Sequence, residues 1–348
     1  MQPFRCAVCL QLLFFDNSTC LKCGSPLGFD VESMQLITLT AQSDALVPAD
    51  GSHGRFQRCA NQRLARCNWV TRNQDGAHRC FSCRLTTVRP SDSETEAIVA
   101  FADAEAAKRR LIYQLLELGL PVIERSVDEL RGVAFEFLSS RGRDVTTGHK
   151  AGVITLDLSE SDDAHREFVR QQLGEPYRTV LGHLRHEIGH YYWPLIVVES
   201  GLLDEFRSLF GDDRSPYDDA LRVHYSSGGA TDWSAAHVSQ YASMHPWEDW
   251  SETFAHYLHI QAGLETADAF GLHVDEPALG AGRDAWGASG DLAVGTMVRD
   301  WLSLTLALNG MSRSIGQGDL YPFVLSAPVI QKLDFVHRAV SEARGIAA

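Results

Sequence analysis

The apolar positions of this chain recur at different periods in different stretches, and those periods predict its elements. A run rich in Ala, Glu, Lys and Leu from about residue 94 to 118 predicts a helix, stopped by Gly119 and Pro121. Residues 132–138 (GVAFEFL) and 153–158 (VITLDL) predict two strands of a small sheet. A helix is expected over 162–173. The next opens near Pro176, because proline fits a first helical turn, and runs to about Trp193. Along it Tyr177, Val180, Leu184, Ile188 and Tyr191 or Tyr192 follow a spacing of three to four, and Pro194 ends or kinks it. From 198 onward the pattern is mostly helical, with loops over 211–217, 226–234 and 274–290. One of these helices opens at Pro246 and aligns Trp247, Trp250, Phe254 and Leu258, leaving Glu248, Glu252 and His259 on another face. The expected class is α+β, mostly helical with a small sheet.

Composition adds domain count and surroundings. The chain has 348 residues, enough for two or three domains, and is 45% hydrophobic and 22% charged, as globular proteins are. No apolar run approaches the roughly 18 residues of a membrane helix, so no membrane partner is expected. Cys6 and Cys9 fall where the apolar core of an export signal would lie, and the expected location is cytoplasmic.

Charge is uneven. The net charge is −14, yet residues 51–89 hold eight arginines (Arg55, Arg58, Arg63, Arg66, Arg72, Arg79, Arg84, Arg89) against one acid, Asp75. A basic module thus precedes an acidic body. It could dock on nucleic acid, on an acidic partner or on the protein's own body.

All eight cysteines precede residue 84. Cys6-x2-Cys9 and Cys20-x2-Cys23 have the spacing of a small zinc ribbon. Cys59, Cys67, Cys80 and Cys83 form a looser second set with one regular knuckle. Two structural zinc ions are expected. Disulfides compete with this reading, as does iron on the first set, but paired knuckles without an export signal favour zinc. The expected division is a zinc ribbon over 1–50, a second Arg-rich zinc module over 51–90, a linker within 85–93, and a single larger domain over 91–348.

The sharpest chemical signal is His186-Glu187-Ile188-Gly189-His190. Histidines four apart share one helix face and can bind one metal ion, and Glu187 between them can act as general base. Gly189 lets another backbone come close. A carboxylate from the Pro246 helix would complete a catalytic zinc site; Glu248, Asp249 and Glu252 all qualify. A metzincin would need Gly at position 193 and His at 196, which hold Trp193 and Ile196. His183, His256 and His259 are expected to be structural or supporting groups, and Trp193, Trp247 and Trp250 to be core.

The Glu248-x3-Glu252 spacing resembles the gluzincin arrangement, which implies Glu248 as the zinc ligand and Glu252 as a support behind a histidine ligand. The layout as a whole resembles a bacterial family of zinc-binding metallopeptidases with an N-terminal zinc ribbon. The Cys6/Cys9/Cys20/Cys23 set, the block from Gly182 to Trp193 and the block from His245 to Ala255 carry that resemblance. A more distant likeness is to the catalytic domain of anthrax lethal factor. It implies Tyr241, seven residues before Glu248, as donor to the oxyanion, with Tyr225 and His245 as fallbacks. The expected function is zinc-dependent hydrolysis of a peptide or protein substrate. The rivals are a nucleic-acid or protein binding module on an inactive scaffold, and a zinc hydrolase of a non-peptide amide.

Overall fold

The computed structural model describes residues 1–43, 45–72, 78–140, 145–173, 177–227, 230–274 and 292–344. Contacts divide the chain into two compact units, residues 1–117 with 122–167 and residues 118–121 with 168–348.

The first unit opens with a hairpin of β1 (Phe4–Arg5) and β2 (Leu12–Leu13). A five-stranded antiparallel sheet follows in sequence order: β3 (Leu27–Asp30), β4 (Gln35–Gln42), β5 (Ala45–Pro48), β6 (Phe56–Arg58) and β7 (Val70–Arg72). After the single turn α1 (Phe81–Arg84) come β8 (Thr86–Val88), α2 (Thr95–Glu117), β9 (Ala134–Leu138), β10 (Gly148–Lys150) and β11 (Val153–Asp157). These strands form a second sheet in the order β10-β11-β9-β8, with β11/β9 and β9/β8 parallel. Part of the expected linker is therefore a strand. The β-branched triplet Thr-Thr-Val suits a pleated edge, and Thr86 is buried there.

Helix α2 forms where expected and belongs to this unit's core. Tyr113 packs its ring 5.0 Å from Phe15 and 5.7 Å from Phe29, which in turn lies 4.8 Å from Trp69. Lys108 and Glu105, both without solvent exposure, pair at 2.7 Å and share Thr86 Oγ1, so each buried charge has a partner. Much of the positive charge of 51–89 is met inside the same unit. Arg66 pairs with Asp103, Arg72 with Asp30 and Glu32, Arg84 with Glu124 and Arg89 with Asp92.

Helix α3 (Asp163–Leu173) lies across the division in sequence. The second unit is built from α4 (Val180–Trp193), α5 (Leu203–Phe210), α6 (Tyr217–Ser227), α7 (Pro246–Ala269), α8 (Leu292–Ser314) and α9 (Ala327–Ala343). Helix α4 starts later than the proline suggests. Thr179 caps it, its side chain accepting from Gly182 N at 3.0 Å, while Pro176 lies outside the described residues. At Pro194 the α-helix gives way to one π turn, Pro194–Val198, closed by Glu199 N donating to Pro194 O. The loop expected over 211–217 ends one residue early. That over 226–234 is described in part, and almost all of that over 274–290 lies outside the described residues.

Helix α7 is the centre of this unit and packs on α4, α8 and α9. Trp250, Phe254, Phe206 and Phe335 are fully buried around it. Among the described residues no helix is long and apolar enough to cross a membrane.

Candidate metal centre

On α4, His186 and His190 stand one turn apart on the face toward α7. Gly189 faces α7 as well: a Cβ on it would lie 3.0 Å from Ser251 Cα and 3.3 Å from Phe254 Cβ. The two helices therefore meet almost backbone to backbone, and Trp250 Nε1 donates to Gly189 O at 2.8 Å across the seam. Helix α7 is fixed at its start by Pro246 and by His245, whose ring accepts from Trp247 N at 3.1 Å.

This crossing brings three ligand atoms to one point. Glu248 Oε2 lies 3.0 Å from His186 Nε2 and 3.3 Å from His190 Nε2, and the two nitrogens are 3.1 Å apart. Bonds of about 2.0–2.1 Å to a tetrahedral zinc would separate such ligands by about 3.3 Å, so the donor set fits the ion. The other ring nitrogens also have partners. His186 Nδ1 sits 2.7 Å from Glu252 Oε1, and His190 Nδ1 sits 2.7 Å from Ser251 Oγ. With Nδ1–H donated to Glu252, the Nε2 lone pair of His186 is directed at the metal position. Glu252 in turn accepts from Ser239 Oγ at 2.6 Å. The remaining oxygen of Glu248 accepts from the Tyr217 phenol at 2.7 Å, leaving Oε2 to face the histidines.

The charges show the same demand for a cation. Burial disfavours a charged His186, yet Glu248 and Glu252 outweigh it and hold the imidazole well above its ordinary range. Burial also opposes ionisation of Glu248, but the two histidines hold it far below the usual carboxylate range. Glu252 is lowered to about 2, His186 overcoming its burial. Glu187 moves the other way, because burial raises it against the pull of both histidines.

Other predicted residues divide clearly. Asp249 does not join His186 and His190. Its Oδ2 lies 2.5 Å from Lys332 Nζ on α9, and burial pushes its pKa to about 7 despite that lysine. Tyr241, in a single 3₁₀ turn, lies with its ring 6.0 Å from that of His186. Burial, then the charge of Glu248, raises its phenol pKa. His245 serves as a cap, and Tyr225 is 64% exposed on α6. His256 Nδ1 meets Tyr321 Oη at 2.8 Å, and His259 packs among Tyr177, Trp301 and Tyr321. Trp250 is core as expected. Trp247 instead lies against a ligand, its ring centroid 3.9 Å from that of His190. Tyr217, Ser239, Ser251 and Lys332 are the groups that the sequence reading misses. Ser251 alone carries a signal, since it stands three after Glu248 on the same helix.

The cysteines gather as the two expected sets. Sulfur separations are 3.5 Å for Cys6–Cys23, 3.6 Å for Cys9–Cys20 and 3.6 Å for Cys67–Cys80, far from a disulfide bond and close to the roughly 3.8 Å edge of a tetrahedron of zinc thiolates. No cysteine is in a disulfide. Cys23 is exposed, whereas Cys59, Cys67, Cys80 and Cys83 are all buried. The neighbouring thiols push Cys59 far below an ordinary thiol. Both sets fit zinc.

Comparison with known proteins agrees with this chemistry. The family described as "Putative zinc-binding metallo-peptidase" matches residues 97–339, and a zinc-ribbon domain family matches residues 3–94. The chain is similar to uncharacterized proteins of Mycobacterium bovis and of two strains of Mycobacterium tuberculosis. Each is 47% identical over 348 residues, covering 98% of this chain and 96% of the relative. No solved structure matches.

Proposed function

The chain belongs to this zinc-binding metallo-peptidase family, and from that premise we propose that it hydrolyses peptide bonds with His186, His190 and Glu248 holding a catalytic zinc. The convergence of those three ligand atoms, with Glu187 on the turn between the histidines, carries the reading. When bound, the ion supplies a Lewis acid that polarises a carbonyl and makes water a better nucleophile at neutral pH. Glu252 and Ser251 hold the ligand imidazoles in orientation through their Nδ1 atoms, and Tyr217 keeps one oxygen of Glu248 turned away. Glu187 takes the proton of the attacking water and delivers it to the leaving amine. The Tyr241 phenol donates to the oxygen that gains negative charge.

The nucleic-acid reading has less support, because four of the eight arginines of 51–89 are paired with acids of their own unit. The test is digestion of a peptide library and of a set of non-peptide amides by the unaltered chain and by Glu187→Gln. The variant is expected to keep its zinc and lose activity by roughly a hundredfold or more. Equal activity of the two proteins sinks the mechanism. Cleavage confined to the non-peptide amides moves the reading to that substrate class.

A further inference from the structure

A cleft of about 330 Å³ opens beside the metal ligands, lined by Trp193, Asp213, Ser215, Tyr217, His245 and Trp247. Two of its walls touch the ligand set directly. The Trp247 ring lies against His190, and the Tyr217 phenol lies on Glu248. The Tyr217 ring stands edge-on to His245 at 5.3 Å and to Trp247 at 5.9 Å, so the walls are mostly aromatic. Such a cleft is at the small end of ligand sites and suits a single side chain.

The acid on its lining does not make it a cation site. Asp213 is held by Arg207, with Nε at 2.6 Å and Nη2 at 3.4 Å, and its side chain is only 13% exposed. The loop beneath is built in advance. Gly211 takes φ +106°, a conformation that favours glycine, and a Cβ there would meet Pro246 Cγ at 3.2 Å. Ser215 O accepts from His245 Nε2 at 3.1 Å, which ties this loop to the start of α7. The walls are thus fixed before any ligand arrives.

Resting on the peptidase reading, we propose that this cleft receives the side chain next to the scissile bond and selects apolar, above all aromatic, side chains over cationic ones. The charge of Arg207 enforces the choice by neutralising Asp213.

The full-length Glu187→Gln protein allows a test without turnover. N-acetyl-phenylalanine amide, N-acetyl-lysine amide and N-acetyl-glycine amide are titrated against it, read by tryptophan fluorescence and by calorimetry. Phenylalanine amide is expected to bind about tenfold or more tighter than glycine amide, with lysine amide no better than glycine amide. Adding Arg207→Met should improve lysine amide by about tenfold, and no gain for lysine amide in that variant overturns the role given to Arg207. Glycine amide binding as tightly as phenylalanine amide, or lysine amide binding tightest to the protein with Arg207 in place, overturns the proposal. The expected ranking without cleavage of any peptide overturns the peptidase reading alone. Cleavage indifferent to the neighbouring side chain, with no ranking, overturns the cleft assignment alone.

Discussion

Glu252 stands behind His186, with its Oε1 2.7 Å from Nδ1, while Glu248 four residues earlier faces Nε2 of the same ring at 3.0 Å. One helix thus grips both edges of one imidazole. Glu248→Ala is expected to remove a ligand and empty the site. Glu252→Ala should weaken zinc binding by roughly ten- to a hundredfold, as the loss of an orienting partner does. Competition titration against a zinc chelator measures both. A Glu252→Ala protein that binds as tightly as the unaltered one would show that His186 needs no such support.

Asp249 separates the ligand question from stability. Asp249→Ala should leave the zinc in place, since its carboxylate is spent on Lys332. It should also cost about 3–5 kcal/mol of stability, because Lys332 would stay buried without its partner. Replacing both by apolar residues of similar size should restore most of the loss. Denaturant melts with metal analysis of each variant decide this, and loss of zinc from Asp249→Ala would reopen the choice of third ligand.

The metal content is expected to be about three zinc ions per chain, counted from the three ligand sets. Against a chelator the Cys6/Cys9/Cys20/Cys23 set should release first, because Cys23 is exposed and the second set is wholly buried. Metal analysis after purification without added zinc gives the total, and a timed release assay gives the order. A total of one or fewer contradicts the cysteine assignments or the catalytic one.

Acid should act on the second unit through His259 and His256, the latter lowered to about 4 by burial. Burial among aromatic rings lowers the pKa of His259 to about 3, below the ordinary 6.5. The unfolded chain therefore binds more protons in that window, and stability falls as pH drops from about 6.5 toward 3. Between pH 7 and 5 this amounts to about 2 kcal/mol at most for each histidine. His259→Phe should reduce the pH dependence of the melting temperature over that range, with the share due to His256 remaining. An unchanged slope would place the acid sensitivity elsewhere.

Much of the centre is legible in the sequence because helical geometry converts spacing into position. His186, Glu187 and His190 on α4, and Glu248 and Glu252 on α7, need only a period of 3.6 to be placed on shared faces. Tyr217 is not legible in that way. It lies 31 residues before Glu248, on another helix, and meets it only through the tertiary fold. Lys332 meets Asp249 across 83 residues for the same kind of reason. The cysteines mark the metal modules but not the extent of the unit that holds them. Tyr113 on α2 shares a core with Phe15 and Phe29, and no composition change announces that packing. A cut at residue 91 would pass between β8 and α2 and strip Glu105 and Lys108 of Thr86.

The close approach at Gly189 has a mechanical consequence. Since Ser251 Cα would lie 3.0 Å from a Cβ at that position, the gap between α4 and α7 is set by main chain against main chain. The centre then behaves as a two-jawed clamp whose jaws carry the histidines on one side and the carboxylate on the other. A single methyl at the seam acts as a shim, widening the jaws by a few tenths of an ångström and detuning every ligand at once while altering none of them. Tolerance to substitution along this seam should therefore follow clearance between the helices rather than closeness to the metal.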